Sequence, residues 1–282
     1  MILEKLRSAY HKSICANAAC LKKDIPNIAD IDNKTSVKLA QKIFAKINFP
    51  LCNKEISGQT AGARFGEITK VFLNDAFKLL LHLRPGDWFF SASQAGAGIT
   101  AFEQYRHLAE IDRLIKEYRE LKLNFGGDYL IIPDIVIGRM PVSDSEINKK
   151  EKIVSEKVAR LTPLREKNYS DPAPLLHASI SCKWTIRSDR SQNTRTEALN
   201  LIRNRKGKTP HIAAVTAEPL PTRIASLAMG TGDIDCVYHF ALFELRDAIK
   251  EIGNDDQDDM LETLINGKRL RDISDLPLDL VS

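Results

Sequence analysis

The sequence predicts an α/β fold in which a central β-sheet is flanked by helices. Residues 175–183 and 211–216 indicate the sheet, because the first segment is an alternating apolar run and the second is a short apolar run, as is typical of strands. Segments with apolar residues at helical spacing lie between such strands. Neither a repeat nor a low-complexity linker divides the chain. We therefore expect residues 1–282 to form one domain, which is long enough to bury a sizeable core.

The first third of the chain is predicted to be mainly helical. Apolar residues recur at helical spacing in three segments that begin near residues 2, 37 and 64, and the third is expected to end at residue 83. Asp30 and Asp32 precede the second helix, where a carboxylate commonly caps the helix start. Gln59 falls in a turn-rich loop over residues 53–62, and Glu67 lies in the first turn of the third helix.

The middle third is predicted to alternate between strands at 88–90 and 129–138 and helices at 100–121 and 143–165, the last of them highly charged. Residues 93–98 contain a Gly-x-Gly sequence that lacks the remainder of a phosphate-binding motif, so we interpret it as a loop. Asp134 follows Pro133 inside the apolar strand. A carboxylate in such a strand is costly to bury unless a cation or metal accompanies it, which makes Asp134 a candidate functional residue.

The last third is predicted to contain three strands, at 175–183, 211–216 and 236–242. Helices are expected at 194–204 and 243–252, and a short one from Pro221 that carries Arg223. The acidic run 255–259 lacks the glycine and the final glutamate of a calcium loop and is interpreted as a helix start. A basic tail at 268–271 is expected to end the fold.

The composition is that of an ordinary globular protein, with 43% hydrophobic and 28% charged residues and a net charge of +4. The five cysteines show no disulfide framework, which indicates a reducing compartment. His11, Cys15 and Cys20 lack a second ligand pair at zinc spacing and are expected in helices and core. Neither a signal peptide nor a membrane-spanning run is present, so we expect a cytoplasmic protein without membrane contact.

Residues 181–197 concentrate candidate catalytic groups. Lys183 ends a strand, Glu197 follows on the next helix, and Asp134 lies on an earlier strand, so these three side chains can converge. Magnesium binds through one or two carboxylates plus phosphate oxygens, and a nearby lysine can orient an attacking water. The group therefore fits metal-assisted phosphodiester hydrolysis. Spacing alone equally allows a buried Asp–Lys ion pair and an exposed helix glutamate.

A second group of side chains lies between the lysine and the glutamate. Arg187 and Arg190 can donate bidentately to guanine, and Asp189 can accept from cytosine, which suits a G·C-rich site in the DNA major groove. The alternative is that Asp189 caps a helix and the arginines form surface ion pairs. The position next to Lys183 favours DNA reading.

Together, Pro133-Asp134, Ser181-Cys182-Lys183 and Glu197 enclose an Arg-Ser-Asp-Arg segment at 187–190. This arrangement resembles the type II restriction endonucleases that cut around a CCGG core. The resemblance covers most of the chain and is densest at 177–208, 211–242 and 266–280. It implies a restriction-endonuclease-like (PD-(D/E)XK) fold, with a mixed central β-sheet flanked by helices.

The resemblance also implies roles for individual residues. Asp134, Lys183 and Glu197 match the catalytic residues, with Ser181 in the position that a second acid has left. Glu67 matches a further catalytic acid, although it lies one residue later than the family's glutamate, a rotation of about 100° on a helix. The implied metal ligands are Asp134, Glu197 and Cys182, and the implied DNA-binding residues are Arg187, Asp189, Arg190, Arg223, Asp30 and Gln59.

The implied activity is Mg²⁺-dependent cleavage of double-stranded DNA at GCCGGC, after the first G, leaving a 5′ overhang of four bases. A homodimer that assembles into a homotetramer is the implied form, and a palindromic site supports the dimer. Two alternatives remain from the residues themselves. One is a hydrolase that uses Ser181 or Cys182 with Lys183, although no Gly-x-Ser-x-Gly surrounds Ser181. The other is a non-catalytic DNA-binding regulator.

Overall fold

The computed structural model describes residues 1–92, 98–118, 131–168, 171–186, 188–230 and 232–282, without the side chains of residues 116, 168 and 188–191. The predicted Gly-x-Gly loop at 93–98 and the first part of the predicted strand at 129–138 therefore lie largely outside the described residues. A small antiparallel hairpin is formed by β1 (Leu21–Lys22) and β2 (Ile25–Pro26).

Within the described ranges, the main sheet has six strands that follow one another in chain order. They are β3 (Trp88–Ala92), β4 (Ile135–Arg139), β5 (Leu175–Lys183), β6 (His211–Thr216), β7 (Cys236–His239) and β8 (Leu270–Asp272). β3, β4 and β5 pair antiparallel, whereas β5 to β8 pair parallel. The sheet is therefore mixed, as predicted.

Helices cover both faces of this sheet. They are α1 (Ile2–Asn17), α2 (Lys34–Ile47), α3 (Gly58–Leu79), α4 (His107–Glu117), α5 (Asp144–Ile147), α6 (Ser188–Asn204), α7 (Pro221–Ala228), α8 (Leu242–Ile252), α9 (Asp255–Asn266) and α10 (Leu276–Val281). α1 packs on α3, and α2 packs on α8. Of the described helices, none combines the length and the apolar character that crossing a bilayer requires.

The strand pairing determines where the site lies. Ile135 at the start of β4 pairs with Ile180 near the end of β5, because these two strands run antiparallel. Lys183 at the end of β5 pairs with Thr216 at the end of β6, because these two run parallel. The start of β4 and the ends of β5 and β6 therefore meet at one edge of the sheet. Side chains that precede β4 or follow β5 and β6 are consequently neighbours.

Three predicted elements are corrected by the structure. Residues 100–121 do not form one helix, because short 3₁₀ turns at Ile99–Ala101 and Glu103–Tyr105 precede α4. Leu270–Asp272 is not a tail but the parallel edge strand β8, and α10 follows it. Gln59 lies in the first turn of α3 rather than in a loop, because Ser57 caps that helix by accepting from the Thr60 N–H.

The predicted charged helix at 143–165 is also wrong beyond its first turn. After α5, this segment is irregular and is organised around Arg165, which is only 2% exposed. The Arg165 guanidinium donates to both carboxylate oxygens of Asp144, at 2.8 and 2.6 Å, and to the carbonyls of Ser155, Val158 and Ala159. A buried arginine with five acceptors holds the loop without helical hydrogen bonds.

The cysteine prediction needs one correction. Cys20 and Cys52 form a disulfide that joins the N-terminal region to the segment before α3, so the cysteines are not all free thiols. Cys15, Cys182 and Cys236 are free and buried. Cys15 belongs to the core, as expected, and the neighbouring His11 donates its Nε2–H to the Phe240 carbonyl.

A buried ion-pair network joins α1, α8 and β8. Arg7 donates to both oxygens of Glu244, at 2.7 and 2.6 Å, and to both oxygens of Asp272, at 2.9 and 2.8 Å. Asp272 is completely buried. Burial by itself would raise the pKa of Asp272, but the hydrogen bond and charge of Arg7 outweigh it and hold this pKa below the usual value. Arg7 thus keeps a buried carboxylate ionised.

We expect Arg7→Ala to lower the free energy of unfolding by about 3–5 kcal/mol, because it leaves Asp272 as an uncompensated buried charge. Without Arg7 the pKa of Asp272 rises, so the deficit relative to the wild type should be largest at neutral pH and shrink at acidic pH, where Asp272 is protonated. Urea unfolding at several pH values measures this. Arg113→Ala, which removes an exposed helix arginine paired with Glu110, is the control and should change stability by less than about 1 kcal/mol. An equal effect of both substitutions would contradict the assignment.

Candidate active site

Asp134 and Lys183 meet at the sheet edge where β4 begins and β5 ends. The Cys182 N–H donates to Asp134 Oδ2 at 2.7 Å, so the carboxylate is attached to the β5 backbone. Lys183 Nζ lies 3.4 Å from the same oxygen. Both side chains are partly accessible, with 36% of Asp134 and 20% of Lys183 exposed. The predicted convergence of these two residues is therefore present, and solvent or a ligand can reach both.

Glu197 completes this group from α6. It lines the same cavity as Asp134 and Lys183, with a volume of about 490 Å³. We call this the carboxylate cavity; its walls also include Gln59 and Glu67 from α3. Burial raises the pKa of Glu197, and the neighbouring Asp134 adds to this effect, whereas Lys183 opposes it. The alternative of an exposed helix glutamate is therefore wrong, because Glu197 is half-buried beside Asp134 and Lys183.

The two carboxylates have the chemistry of a divalent-cation site. Magnesium prefers hard oxygen ligands, retains several waters and commonly uses only one or two carboxylates. A cation between Asp134 and Glu197 would relieve their repulsion and favour the ionised form of Glu197. No group of three histidine, cysteine or acidic side chains at metal-binding distance occurs in the part of the chain that the structure describes. The donor set thus fits Mg²⁺ better than zinc.

Cys182 contributes to this arrangement through its backbone. Its side chain is only 8% exposed and packs towards α3, where Gly66 lies next to it. Burial raises the pKa of the thiol well above the usual value, and Asp134 raises it further, so the group remains a thiol. In an extended strand the N–H and C=O of one residue point to the same side. The Cys182 carbonyl is therefore directed, like its N–H, towards Asp134, and is a better metal ligand than the thiol.

Ser181 and Glu67 contribute less to the cavity than the sequence suggests. Ser181 lies on β5, two residues before Lys183, but does not line the carboxylate cavity. Glu67 lines it from α3, where its carboxylate forms an ion pair with Lys70 and remains about half exposed. Gln59 lies at the same wall, in the first turn of the helix. The structure thus brings Gln59 close to the catalytic candidates.

A second cavity, of about 750 Å³, adjoins the segment that leaves β5. We call it the arginine cavity; it is lined by Asp30, Asp32, Thr185, Ile186 and Arg223, among others. Arg223, on α7, donates to Asp30 Oδ2. The cap of α2 is Asn33, which accepts from the Ser36 N–H, so the expectation that Asp30 or Asp32 caps this helix is wrong. Asp30 instead pairs with an arginine at a cavity wall.

The predicted DNA-reading group lies partly outside the described residues. Arg187 is among the residues that the structure does not describe, and of Asp189 and Arg190 only the backbone is described. That backbone belongs to α6, which begins at Ser188, so Asp189 lies in the first turn of the helix. Residues 183–186, which precede this group, connect the two cavities, because Lys183 lines the carboxylate cavity and Ile186 lines the arginine cavity.

Sequence reasoning missed Trp184, Asn193 and Glu218. Trp184 and Asn193 line the carboxylate cavity, and Trp184 packs edge-on against Phe65 at 5.2 Å between ring centroids. Glu218 is almost completely buried behind the arginine cavity, where it contacts Ile186 and Arg223. A signal was present, because Glu218 is an acid two residues after the apolar strand 211–216, as Asp134 is directly before another.

Comparisons with known proteins identify the relatives of this chain. The family model of the NgoMIV restriction enzyme matches residues 10–282. The type II restriction enzyme NgoMIV of Neisseria gonorrhoeae is 45% identical over 280 residues, which cover 97% of this chain and 96% of that protein. Among solved structures, the restriction endonuclease PspGI–substrate DNA complex matches 89% of this chain and 96% of that chain, with 16% identity and a TM-score of 0.27.

The family match over nearly the whole chain and the high identity to a curated relative confirm both the resemblance and the restriction-endonuclease-like fold that the sequence predicts. The chain belongs to the NgoMIV restriction enzyme family and is a type II restriction enzyme, a site-specific deoxyribonuclease that binds and cleaves DNA.

Proposed function

We propose that this restriction enzyme uses Mg²⁺ to hydrolyse DNA at GCCGGC, after the first G, leaving a 5′ overhang of four bases. The contact that carries the proposal is the one between Lys183 Nζ and Asp134 Oδ2, at 3.4 Å, in a cavity shared with Glu197. Enzymes of this class generally use a divalent metal. In this protein Asp134, Glu197 and the Cys182 carbonyl would hold it, and Mg²⁺ suits two carboxylates with retained waters.

When bound, the metal neutralises charge on the scissile phosphate and lowers the pKa of the attacking water. The protein's own groups position the reactants. Lys183 has three N–H donors, of which one is directed to Asp134, so the others can hold the attacking water and a phosphate oxygen. The Cys182 N–H fixes one oxygen of Asp134 and leaves the other free. Glu197 must be ionised to bind a cation, so its raised pKa makes activity fall as the pH decreases.

Recognition is assigned to the groups next to this cavity. Arg187, Asp189 and Arg190 read the CCGG core, because guanidinium groups suit guanine and a carboxylate suits cytosine in the major groove. Arg223 and Asp30, which form an ion pair at the arginine cavity, read the outer G·C pair. Gln59, at the wall of the carboxylate cavity, contacts the minor groove. Ser181 and Glu67 are accessory to catalysis and bind no metal.

The first experiment maps the ends of the products of a digested plasmid, and we expect cuts only at GCCGGC, with the stated overhang. Asp134→Ala and Lys183→Ala should each lower the cleavage rate by roughly a hundredfold or more, because each removes a group that acts in the transition state. Binding of the DNA site should remain. A gel-shift assay beside the cleavage assay separates the two effects.

Lys42→Ala is the matched control, because it removes an exposed lysine that pairs with Glu251 far from the cavity. It should cleave at the wild-type rate. Undiminished cleavage by Asp134→Ala or Lys183→Ala would contradict the catalytic assignment, and cuts at other sequences would contradict the recognition site.

Metal removal and two neighbouring substitutions test the chemical class. Excess EDTA should abolish cleavage, and added Mg²⁺ should restore it. Cys182→Ala and Ser181→Ala should remain within about tenfold of the wild-type rate, because neither side chain is a nucleophile and the Cys182 backbone is retained. Single-turnover rates on one duplex measure this. Inactive Ser181→Ala or Cys182→Ala protein that still folds, or cleavage unaffected by EDTA, would indicate a covalent hydrolase instead.

The active form is proposed to be a homodimer that assembles into a homotetramer. A two-fold dimer matches a palindromic site. The loop organised around Arg165 is the candidate surface for pairing two dimers, because it exposes three large apolar side chains within nine residues. These are Ile153, Val158 and Leu161, with exposed fractions of 63%, 54% and 92%. Exposed apolar groups on a well-braced loop are typical of an association surface.

We expect Leu161→Lys to convert tetramers into dimers, because a lysine in an apolar contact must lose its hydration. Sedimentation velocity at several protein concentrations measures the change. Leu83→Lys, at a leucine that is 56% exposed away from this loop, is the control and should leave the assembly unchanged. Tetramers of the Leu161→Lys variant would exclude this loop as the contact.

We also propose a single-domain organisation and a cytoplasmic location for this protein. Residues 1–282 are proposed to form one domain, because one continuous hydrophobic core joins α1 to the last helix. The protein is proposed to act in the cytoplasm, where its double-stranded DNA substrate is present.

A further inference from the structure

Glu218 is a buried acid that the proposed mechanism does not use. It follows the end of β6 by two residues and is 1% exposed. The end of β6 lies beside the end of β5, so Glu218 reaches the segment that leads from Lys183 towards Arg187. An ionised carboxylate at such a position is costly unless its oxygens are used.

Both oxygens of Glu218 are used, and each is directed to a different element. Oε2 accepts the N–H of Ile186 at 2.9 Å, immediately before Arg187. Oε1 accepts the N–H of Leu220 at 3.3 Å and lies 4.0 Å from Nη1 of Arg223 on α7. One side chain therefore connects the segment before the core-reading residues with the arginine assigned to the outer base pair.

The charged and titratable groups around Glu218 come from three sides. Arg223 faces it from α7, and Asp30 lies behind Arg223 and pairs with it. His239 of β7 contacts the Glu218 carbonyl oxygen, and burial lowers the pKa of His239 to about 4, so this imidazole is neutral near pH 7. Arg223 is thus the cation that faces Glu218 among the described residues.

We propose that Glu218 is a positioning residue for sequence discrimination, which holds Ile186, the residue before Arg187 in the sequence, and Arg223 in one fixed geometry. The inference rests on the proposed reading of DNA by Arg187 and Arg223. An ionised Glu218 supplies acceptors to two N–H groups and attraction to the guanidinium. When Glu218 is protonated or replaced by glutamine, its side chain has one acceptor fewer and places a donor against the neighbouring N–H groups. The attraction to the guanidinium is then lost, so Arg223 is held by Asp30 alone.

The charge of Glu218 changes within the working range of pH. Burial raises its pKa to about 7, against the effects of the Ile186 N–H and of Arg223. The group is therefore ionised above about pH 7 and becomes protonated below it. Outer-pair discrimination should accordingly be highest at alkaline pH and should decrease as the pH falls through this value.

The test compares single-turnover cleavage, with Mg²⁺, of four duplexes that share CCGG and differ only in the symmetric outer base pair, and of one duplex with a scrambled core. The ratio between the best and the next-best CCGG duplex measures outer-pair discrimination, and the pH dependence of the chemical step cancels in it. For the wild type we expect this ratio to fall by about tenfold between about pH 8.5 and about pH 6, because one outer-pair contact is weakened.

For Glu218→Gln we expect a ratio that is about tenfold lower than that of the wild type at about pH 8.5 and independent of pH. Asp235→Asn is the matched control. Asp235 also accepts a strand N–H, that of Ile212, but at the opposite end of β6, and its neutralisation should leave ratio and pH dependence unchanged. Circular dichroism and thermal unfolding establish that each variant is folded.

The outcomes separate the possibilities. A Glu218→Gln variant with the wild-type ratio and pH dependence overturns the role of Glu218 alone, because cleavage of CCGG duplexes remains. Equal slowing on all duplexes, with an unchanged ratio, also overturns it, because a merely structural role predicts that result. A wild type that cleaves no CCGG duplex faster than the scrambled one overturns the proposed function and the role of Glu218 with it.

Discussion

The site depends on the hydrogen bond from the Cys182 N–H to Asp134. β4 and β5 run antiparallel, so the residue before β4 is placed beside the residues that end β5. In this hydrogen bond the Asp134 carboxylate takes the place of a backbone carbonyl, so the bond continues the ladder of hydrogen bonds between β4 and β5. Strand pairing therefore places the carboxylate of Asp134, a candidate catalytic acid, 2.7 Å from the Cys182 nitrogen and directly beside Lys183.

The same edge also controls the electrostatics of the site. Asp134, Glu197 and Glu218 are three carboxylates near the ends of adjacent strands, and burial raises the pKa of the latter two. Lys183 and Arg223 supply one cation to each of the two cavities. The carboxylate cavity thus has an excess of negative charge, which suits the cation proposed to bind there, and Arg223 lies in the other cavity.

Much of the fold and the convergence of the candidate catalytic side chains could be predicted from the sequence, because strand alternation and helical spacing are local signals. Leu175–Lys183 and His211–Thr216 agree with their predicted bounds, and the convergence of Asp134, Lys183 and Glu197 follows from strand order. Other features depend on tertiary contacts. The loop held by Arg165 has helix-forming residues, yet a buried guanidinium with five acceptors stabilises an irregular path. Asn33 rather than Asp30 caps α2, because Asp30 pairs with Arg223, 193 residues later. The role of Glu218 likewise required the position of Ile186.

The short connection between the two cavities has a consequence for where the enzyme cuts. Lys183 lines the carboxylate cavity and Ile186 lines the arginine cavity. Three residues span at most about 11 Å, even when fully extended. On the proposed assignment, Lys183 acts at the bond that is broken and Arg223 reads an outer base, so this short connection would keep the two points close together along the DNA, where the rise is about 3.4 Å per base-pair step. The enzyme would then cut inside its own recognition sequence, whereas cutting at a distance would require the reading and cleaving groups to lie on separate, linked domains.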